Sequence, residues 1–276
     1  MAYADDKHGI AFIGGGNMAS AIIGGLLRQG VAPGDIAVVE PFAPARERLH
    51  SDFGLAPVEA PGPELARAGL VVWAVKPQTF RAAALQARPH VAQALHLSVA
   101  AGIRSDSIVA WLGTERIVRT MPNTPALVGK GMTGLYARAG VSAEDRARAE
   151  AVVATTGEFL WVAGESDLDT VTAVSGSGPA YVFFFLEAMT QAGVEMGLPR
   201  EQAYQLAVGT FVGASELARA SQEPPELLRE RVTSKGGTTY AAITSMERDN
   251  VKALFVKAMH ASHRRAQELG DEFGKS

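Results

Sequence analysis

The feature that most constrains this chain is a glycine-rich stretch, Gly14-Gly15-Gly16-Asn17-Met18-Ala19, between an apolar run and a helical pattern. The run Ile10–Ile13 predicts a short buried strand, and Met18–Gln29 has the length and spacing of a helix. Gly14 and Gly16 occupy the first two glycine positions of G-x-G-x-x-G/A, and Ala19 takes the third. Such glycines let the backbone turn tightly and approach a pyrophosphate, which then lies on the helix N-terminus. The stretch predicts a dinucleotide site; the alternative is a turn with a purely structural role.

Strand and helix patterns alternate through the first half of the chain. β-rich runs recur at Ile36–Glu40, Leu70–Val75, Leu95–Ala100, Ile117–Arg119, Thr133–Tyr136 and Glu158–Val162. Helical patterns cover Ala45–Asp52 and Ala143–Thr155. Alternation of this kind predicts a largely parallel sheet covered by helices on both faces, which is an α/β Rossmann-like fold.

The second half of the chain has a different pattern, with helical stretches and no strand pattern from Asp167 onward. These stretches are Pro179–Met196, Arg200–Arg219 and Val251–Leu269. The change predicts a dinucleotide-binding Rossmann-like domain over residues 1–166 and an all-α domain over residues 167–276. The helical part is rich in Ala, Gly, Val and Phe, which favours burial of its surface against a second copy of the chain.

Composition excludes several classes of function. The 276 residues include 26 basic and 29 acidic side chains, a net charge of -3, so neither nucleic acid nor an anionic membrane is an expected partner. No stretch has the length and apolarity of a membrane span. The absence of cysteine excludes thiol catalysis, disulfides and cysteine-based zinc sites, and it fits a cytoplasmic enzyme. We expect no metal site.

Glu40 ends the second predicted strand, where an acidic side chain commonly binds the hydroxyls of the adenosine ribose. Such a residue disfavours a 2′-phosphate, so the position favours NADH. Arg46 and Arg48 follow closely, and either could instead meet a 2′-phosphate. The remaining alternative is a solvated carboxylate at a strand end.

Two further stretches lie at strand ends and therefore at the expected ligand crevice. In Ala74-Val75-Lys76-Pro77, the lysine could approach the cofactor, although by itself it is better explained as a solvated side chain. In Met121–Pro125, two prolines stiffen a loop that carries Asn123, whose amide could orient a nicotinamide or hold a structural turn.

The stretch Ser234-Lys235-Gly236-Gly237-Thr238-Thr239 precedes the helical run Tyr240–Arg248. Paired glycines before a helix expose several backbone N–H groups in one direction, an arrangement that binds carboxylates and phosphates. We therefore predict an anion site here, against the alternative of an ordinary threonine N-cap.

Together these motifs resemble pyrroline-5-carboxylate reductases along essentially the whole chain. The resemblance rests on stretches that follow the order of that family: Phe12–Met18, Ala74–Pro77, Ala100–Gly102, Met121–Ala126, Ser175–Tyr181 and Val232–Thr239. It implies an N-terminal Rossmann-like domain, a C-terminal helical dimerisation domain, and a homodimer or a pentamer of dimers. The implied reaction is NAD(P)H-dependent reduction of 1-pyrroline-5-carboxylate, a small-molecule substrate, to L-proline, the final step of proline biosynthesis.

The resemblance also implies roles for residues by position. The cofactor contacts it implies are Ile13, Gly14, Gly15, Gly16, Asn17, Met18, Ala74, Val75, Lys76, Pro77 and Ala101. Gly237, Thr238 and Thr239 are expected to hold the substrate carboxylate, with the Thr239 hydroxyl close to the reacting ring as the catalytic group. The chain departs from many relatives at Glu40, where they carry a small polar residue, and at Lys235, where they carry proline.

Two other functions are compatible with a Rossmann and a helical domain. A hydroxyacid dehydrogenase usually places a catalytic lysine early in the helical half, but residues 168–188 contain none. A non-catalytic dinucleotide sensor would keep the glycine turn and would not need the anion site at Gly237–Thr239.

Overall fold

A seven-stranded sheet organises the first part of the chain, in a computed structural model that describes residues 9–274. Its strands are β1 (Gly9–Ile13), β2 (Ile36–Val39), β3 (Ala68–Trp73), β4 (Leu95–Ser98), β5 (Ile117–Met121), β6 (Gly131–Ala137) and β7 (Gly157–Trp161). They lie in the order β2-β1-β3-β4-β5-β6-β7. The first five are parallel, β6 is antiparallel to β5, and β7 is parallel to β6. The predicted Rossmann-like fold class is confirmed.

Helices cover the sheet and form the rest of the chain. Those of the sheet region are α1 (Asn17–Arg28), α2 (Ala43–Phe53), α3 (Pro77–Val91), α4 (Ser105–Leu112) and α5 (Ala143–Val153). The later ones are α6 (Asp167–Val171), α7 (Gly178–Glu195), α8 (Arg200–Ala220), α9 (Pro225–Arg231), α10 (Thr238–Arg248) and α11 (Val251–Gly274). Among residues 9–274 no strand follows β7, so the all-α second part is also confirmed.

The core consists of two apolar layers, one on each face of the sheet. In β1, Ile10 and Phe12 pack into one layer, whereas Ala11 and Ile13 pack into the other. The strand is therefore apolar at consecutive positions, as expected for a parallel strand buried on both faces.

Contacts within the chain divide it into two units. The first unit extends to Ser177 and resumes at Ser262, and the second is Gly178–Ala261. The last helix, α11, begins in the second unit and ends in the first. The domain boundary predicted between residues 166 and 167 stays a prediction.

The second unit exposes an unusual amount of apolar side chain. Inside the unit, α7 and α8 approach closely, because a Cβ atom at Gly193 would lie 2.7 Å from the Cβ of Ala203. On its surface, Phe184 is 66% exposed and Met196 is 80% exposed. Such a surface is typical of a chain that associates with another protein surface.

Within residues 9–274, no helix combines the length and apolarity required to cross a membrane. Nor do three histidine, aspartate or glutamate side chains of this region come together as a metal site.

Candidate active site

The carboxyl ends of the parallel strands show where a ligand can enter the first unit. β1 lies between β2 and β3, so the connection after β1 leads to the neighbouring strand on one side, and the connection after β2 leads to the neighbouring strand on the other side. In open α/β sheets, ligands bind outside the carboxyl ends of the strands at such a switch point. The residues predicted to bind a cofactor follow these ends: Gly14–Met18 follow β1, Glu40 follows β2, Ala74–Pro77 follow β3, and Ala101 and Asn123 follow β4 and β5. The strand order therefore brings the predicted residues to one edge of the sheet.

Gly14 turns the chain at the end of β1. Its φ angle is +98°, and a Cβ atom there would lie 2.5 Å from the carbonyl oxygen of Ala74. This closeness follows from two backbone bonds of 2.8 Å, from Gly14 N–H to the Val39 carbonyl and from Ala74 N–H to the Ile13 carbonyl. Only glycine tolerates both the angle and the contact. The fold itself requires this glycine.

Gly16, by contrast, adjoins open space. A Cβ atom at this residue would meet no other atom within 4 Å, and its φ angle of -73° is ordinary. Gly16 is the N-cap of α1, and within residues 9–274 no side chain caps this helix. Its first turn contains no acidic residue. The unpaired N–H groups and the partial positive charge of the helix end are thus available to an anion, which suits a pyrophosphate.

The carboxylate of Glu40 binds the middle of the glycine turn. Its Oε2 accepts a hydrogen bond from Gly15 N–H at 2.7 Å, and its Oε1 accepts one from Phe42 N–H at 2.9 Å. Arg46 donates through Nη1 to the carbonyl oxygens of Glu40 and Pro41, at 2.8 and 2.7 Å. The sequence indicated the position of Glu40 at the strand end but not its bond to the glycine turn.

The residues after β3 end that strand and begin α3. Pro77 is the first residue of the helix, a position whose N–H has no partner within the helix, so proline costs no hydrogen bond there. Lys76 is the exposed N-cap, while Ala74 and Val75 are half-buried. The side chain of Val75 lies against the turn, since its Cγ1 would be 3.1 Å from a Cβ at Gly14. The stretch predicted from the sequence thus adjoins the glycine turn.

Four other predicted cofactor residues differ in what they present to a ligand. Ile13 is 2% exposed in the core, so only its main chain could reach a cofactor. Asn17 is exposed, Met18 is half-buried against the core, and Ala101 is half-buried in the turn after β4. Their cofactor contacts stay predictions.

Asn123 uses both ends of its amide for the protein's own backbone. Its Oδ1 accepts a hydrogen bond from Met132 N–H at 2.9 Å, and its Nδ2 donates to the Ser175 carbonyl at 3.1 Å. The side chain thereby joins the loop after β5 to β6 and to the π-helical turn Thr172–Gly176. Orientation of a nicotinamide by Asn123 stays a prediction, and the structure adds this bridging role.

Sequence reasoning missed Glu165, which joins the start of α4 to β5. Its carboxylate accepts hydrogen bonds from Ser105 N–H at 2.6 Å and Ser105 Oγ at 2.5 Å, at the start of α4. It also pairs with the buried Arg119 of β5 at 2.6 Å. Burial raises the pKa of Glu165, but the charge of Arg119 and the hydrogen bonds from Ser105 and Arg119 outweigh it and leave the pKa lowered. The available signal was Arg119 itself, a charge inside an apolar strand that needs a partner.

In the second unit, the predicted anion site is a tight turn followed by α10. Gly237 N–H donates to the Ser234 carbonyl at 3.0 Å, and Gly236 has a φ angle of +77°. Gly237 is the N-cap of α10, and among the described residues no side chain caps this helix. Thr238 is exposed and Thr239 half-buried in its first turn, which contains no acidic residue. The helix end can therefore bind a carboxylate, with a hydroxyl beside it.

Comparisons with known proteins agree with this geometry. The family model for pyrroline-5-carboxylate reductase dimerisation matches residues 165–269, and that for coenzyme F420-dependent NADP oxidoreductases matches residues 9–102. A pyrroline-5-carboxylate reductase of Pseudomonas aeruginosa is 44% identical to this chain, over 96% of this chain and 98% of its own length.

Two solved structures also resemble this chain over almost its whole length. A pyrroline-5-carboxylate reductase from Coxiella burnetii has a TM-score of 0.89 and 36% identity, covering 96% of this chain and 99% of its own. A Plasmodium falciparum pyrroline carboxylate reductase with NADP bound has a TM-score of 0.85 and 27% identity, covering 95% and 98%.

Proposed function

The chain belongs to the pyrroline-5-carboxylate reductase family, and on this premise we propose which of its residues carry the reaction. It reduces 1-pyrroline-5-carboxylate to L-proline with a reduced nicotinamide dinucleotide, the final step of proline biosynthesis. The observation that carries this conclusion is the 44% identity that extends over 96% of the chain and so includes both the glycine turn and the anion loop.

The residues at the edge of the sheet fit the cofactor. Gly14 and Gly15 shape the turn, and the backbone N–H groups of Gly16, Asn17 and Met18 hold the pyrophosphate. Ala74–Pro77 and Ala101 line the site at the ends of β3 and β4. The open space at Gly16 and the uncapped N-terminus of α1 support this assignment. When bound, the reduced nicotinamide supplies the hydride.

The loop before α10 holds the substrate. Gly237, as the N-cap of α10, positions the backbone N–H groups of Thr238 and Thr239, which bind the ring carboxylate. The Thr239 hydroxyl forms a hydrogen bond with the ring nitrogen. A threonine hydroxyl is too weak an acid to protonate the imine at neutral pH. Thr239 therefore contributes by orienting the C=N bond, and the enzyme acts mainly through proximity and orientation.

The chain works as a homo-oligomer in the cytoplasm. The match of residues 165–269 to a dimerisation family supports self-association, as does the exposed apolar surface of the second unit. We propose a dimer formed through the helical region, with further assembly into a pentamer of dimers as the family resemblance implies. The absence of cysteine is compatible with a reducing compartment.

An activity assay tests the proposal. The purified protein is mixed with 1-pyrroline-5-carboxylate and NADH or NADPH, while the absorbance of the reduced nicotinamide and the formation of L-proline are followed together. We expect both to change at matching rates. Cofactor binding without turnover would favour a dinucleotide sensor, and turnover only with a 2-oxo acid would favour a hydroxyacid dehydrogenase.

A further inference from the structure

The carboxylate at the end of β2 is already positioned by the protein before any ligand binds. Glu40 holds Gly15 N–H with one oxygen and Phe42 N–H with the other, at 2.7 and 2.9 Å. Its orientation is therefore fixed from two sides, and it is attached to the same turn that receives the pyrophosphate.

Each oxygen of this carboxylate keeps a second acceptor site. A carboxylate offers about four lone-pair sites, and the two backbone bonds use two of them. The sites that remain lie on neighbouring oxygens and can accept the two adjacent hydroxyls of a ribose as a pair. A 2′-phosphate in place of the 2′-hydroxyl would bring two anions together, which is repulsive even after screening by water and salt.

Two arginines follow Glu40 along the chain and could offset this repulsion by pairing with a 2′-phosphate. Arg46 donates to the carbonyl oxygens of Glu40 and Pro41 and lies 3.6 Å from the Glu59 carboxylate, so a 2′-phosphate would compete with these contacts. Arg48 is exposed on α2. Neither arginine forms a hydrogen bond with the Glu40 carboxylate, whose partners are the N–H groups of Gly15 and Phe42.

We propose that Glu40 makes this reductase select NADH over NADPH, because its prepositioned carboxylate accepts the ribose hydroxyls and repels a 2′-phosphate. This inference rests on the cofactor site of the proposed function.

Binding without the nicotinamide gives the direct test. Affinities for ADP-ribose and 2′-phospho-ADP-ribose are measured by calorimetry for the parent, Glu40→Ser, Glu40→Gln and, as a matched surface control, Arg48→Ala. We expect the parent to bind ADP-ribose at least about tenfold more tightly than 2′-phospho-ADP-ribose. The repulsion between the Glu40 carboxylate and the 2′-phosphate should cost more free energy than a tenfold change in affinity represents. The two Glu40 variants should lower this ratio about tenfold or more, and Arg48→Ala should leave it unchanged.

The ratio of the two affinities is the informative quantity. Glu40→Gln keeps one oxygen for Gly15 N–H but lacks the charge, and a general loosening of the turn weakens both ligands alike. A parent preference for the 2′-phosphate, a ratio unmoved in both Glu40 variants, or loss of 2′-phosphate binding in Arg48→Ala would each overturn the proposal. If the parent reduces 1-pyrroline-5-carboxylate with NADPH alone, the inference fails while the proposed function stands. If neither cofactor supports turnover, the proposed function fails first.

Discussion

At the scale of single residues, two glycines of one turn are required for different reasons. Gly14 is required by the protein, because its φ angle is +98° and the Ala74 carbonyl leaves no room for a Cβ atom. Gly16 adjoins open space and has ordinary dihedral angles. A substitution at Gly16 therefore tests ligand binding separately from folding, which is unusual for a glycine-rich turn.

Gly16→Val should weaken binding of NADH and NADPH about tenfold or more while leaving the melting temperature close to that of the parent. The branched side chain would occupy the space assigned to the pyrophosphate, and its Cβ atom would have no other atom within 4 Å. Cofactor fluorescence titration and thermal unfolding measure the two effects. Gly14→Ala is the contrasting control, which should lower the melting temperature. Retained affinity in Gly16→Val would show that the turn is only structural.

Thr239→Ala should reduce kcat/KM about 10- to 100-fold and leave the dissociation constant of NADH nearly unchanged. The lost hydroxyl would otherwise bond the charged ring nitrogen, and bonds to charged groups contribute about 1.5–3 kcal/mol. Thr239→Ser keeps the hydroxyl and should retain most activity. Equal steady-state rates for the alanine variant and the parent would exclude the catalytic role.

At the scale of elements, each of the two proposed binding regions consists of a helix N-terminus and the turn before it. The turn before α10 has the geometry of type II: Gly237 N–H bonds the Ser234 carbonyl, and Gly236 at the third position has a φ angle of +77°. Lys235 therefore occupies the second position, where proline is favoured. A proline would therefore fit this position, because a type II turn has a negative φ angle there.

Lys235→Pro should stabilise the protein by about 0.4–1 kcal/mol relative to Lys235→Ala, since the ring restricts the unfolded chain without changing the turn. Chemical denaturation of both variants measures this difference, and the alanine variant separates the effect of the ring from the loss of charge. Destabilisation by proline would mean that the turn is not of type II.

The strands could be predicted more completely than the helices. All seven strands were predicted from β-rich runs. The parallel strands β1 to β5 are largely buried on both faces and leave a nearly continuous apolar signal, whereas β7 is only partly buried and was indicated by its β-forming residues. The helix α3 was not predicted from the sequence. Pro77 is its first residue, and Pro89 lies inside it. A proline in the sequence can mark either the start of a helix or a break in one, and the residues around Pro77 and Pro89 do not distinguish the two. Only the packing of α3 on the sheet shows that the helix begins at Pro77 and continues past Pro89.

At the scale of the whole molecule, we expect a buried histidine to make the stability depend on pH. His96 on β4 is 1% exposed, and Trp73 Nε1 donates to its Nδ1 at 3.1 Å. Because the indole only donates, the neutral ring carries its proton on Nε2, which has no partner among the described residues. Burial, and next the charge of Arg116, lower the pKa of His96 from 6.5 to about 4.

The parent should therefore lose stability in acid more steeply than His96→Gln, which keeps an acceptor for Trp73. Between pH 6.5 and about pH 4, the histidine of the unfolded chain binds a proton while the buried one does not. The contribution of His96 to the free energy of unfolding is therefore complete above pH 6.5 and is lost as the pH falls towards about 4. From about pH 7.5 to about pH 5, we expect the parent to lose about 2 kcal/mol more than the variant. Urea unfolding at both pH values measures this. Equal losses would mean that His96 is not the responsible group.

The sequence by itself determined the fold class and the positions of the glycine turn and of the turn before α10. These features depend on local properties: strand burial, helix periodicity and the backbone freedom of glycine. Only the tertiary structure decided which side chains meet. Glu40 binds Gly15, Glu165 joins Arg119 to Ser105, and the amide of Asn123 bridges Met132 and Ser175. The members of these groups are separated along the chain, and they meet because strand order, strand register and the packing of the intervening segments on the sheet bring them together. Residue spacing along a single sequence does not contain that information.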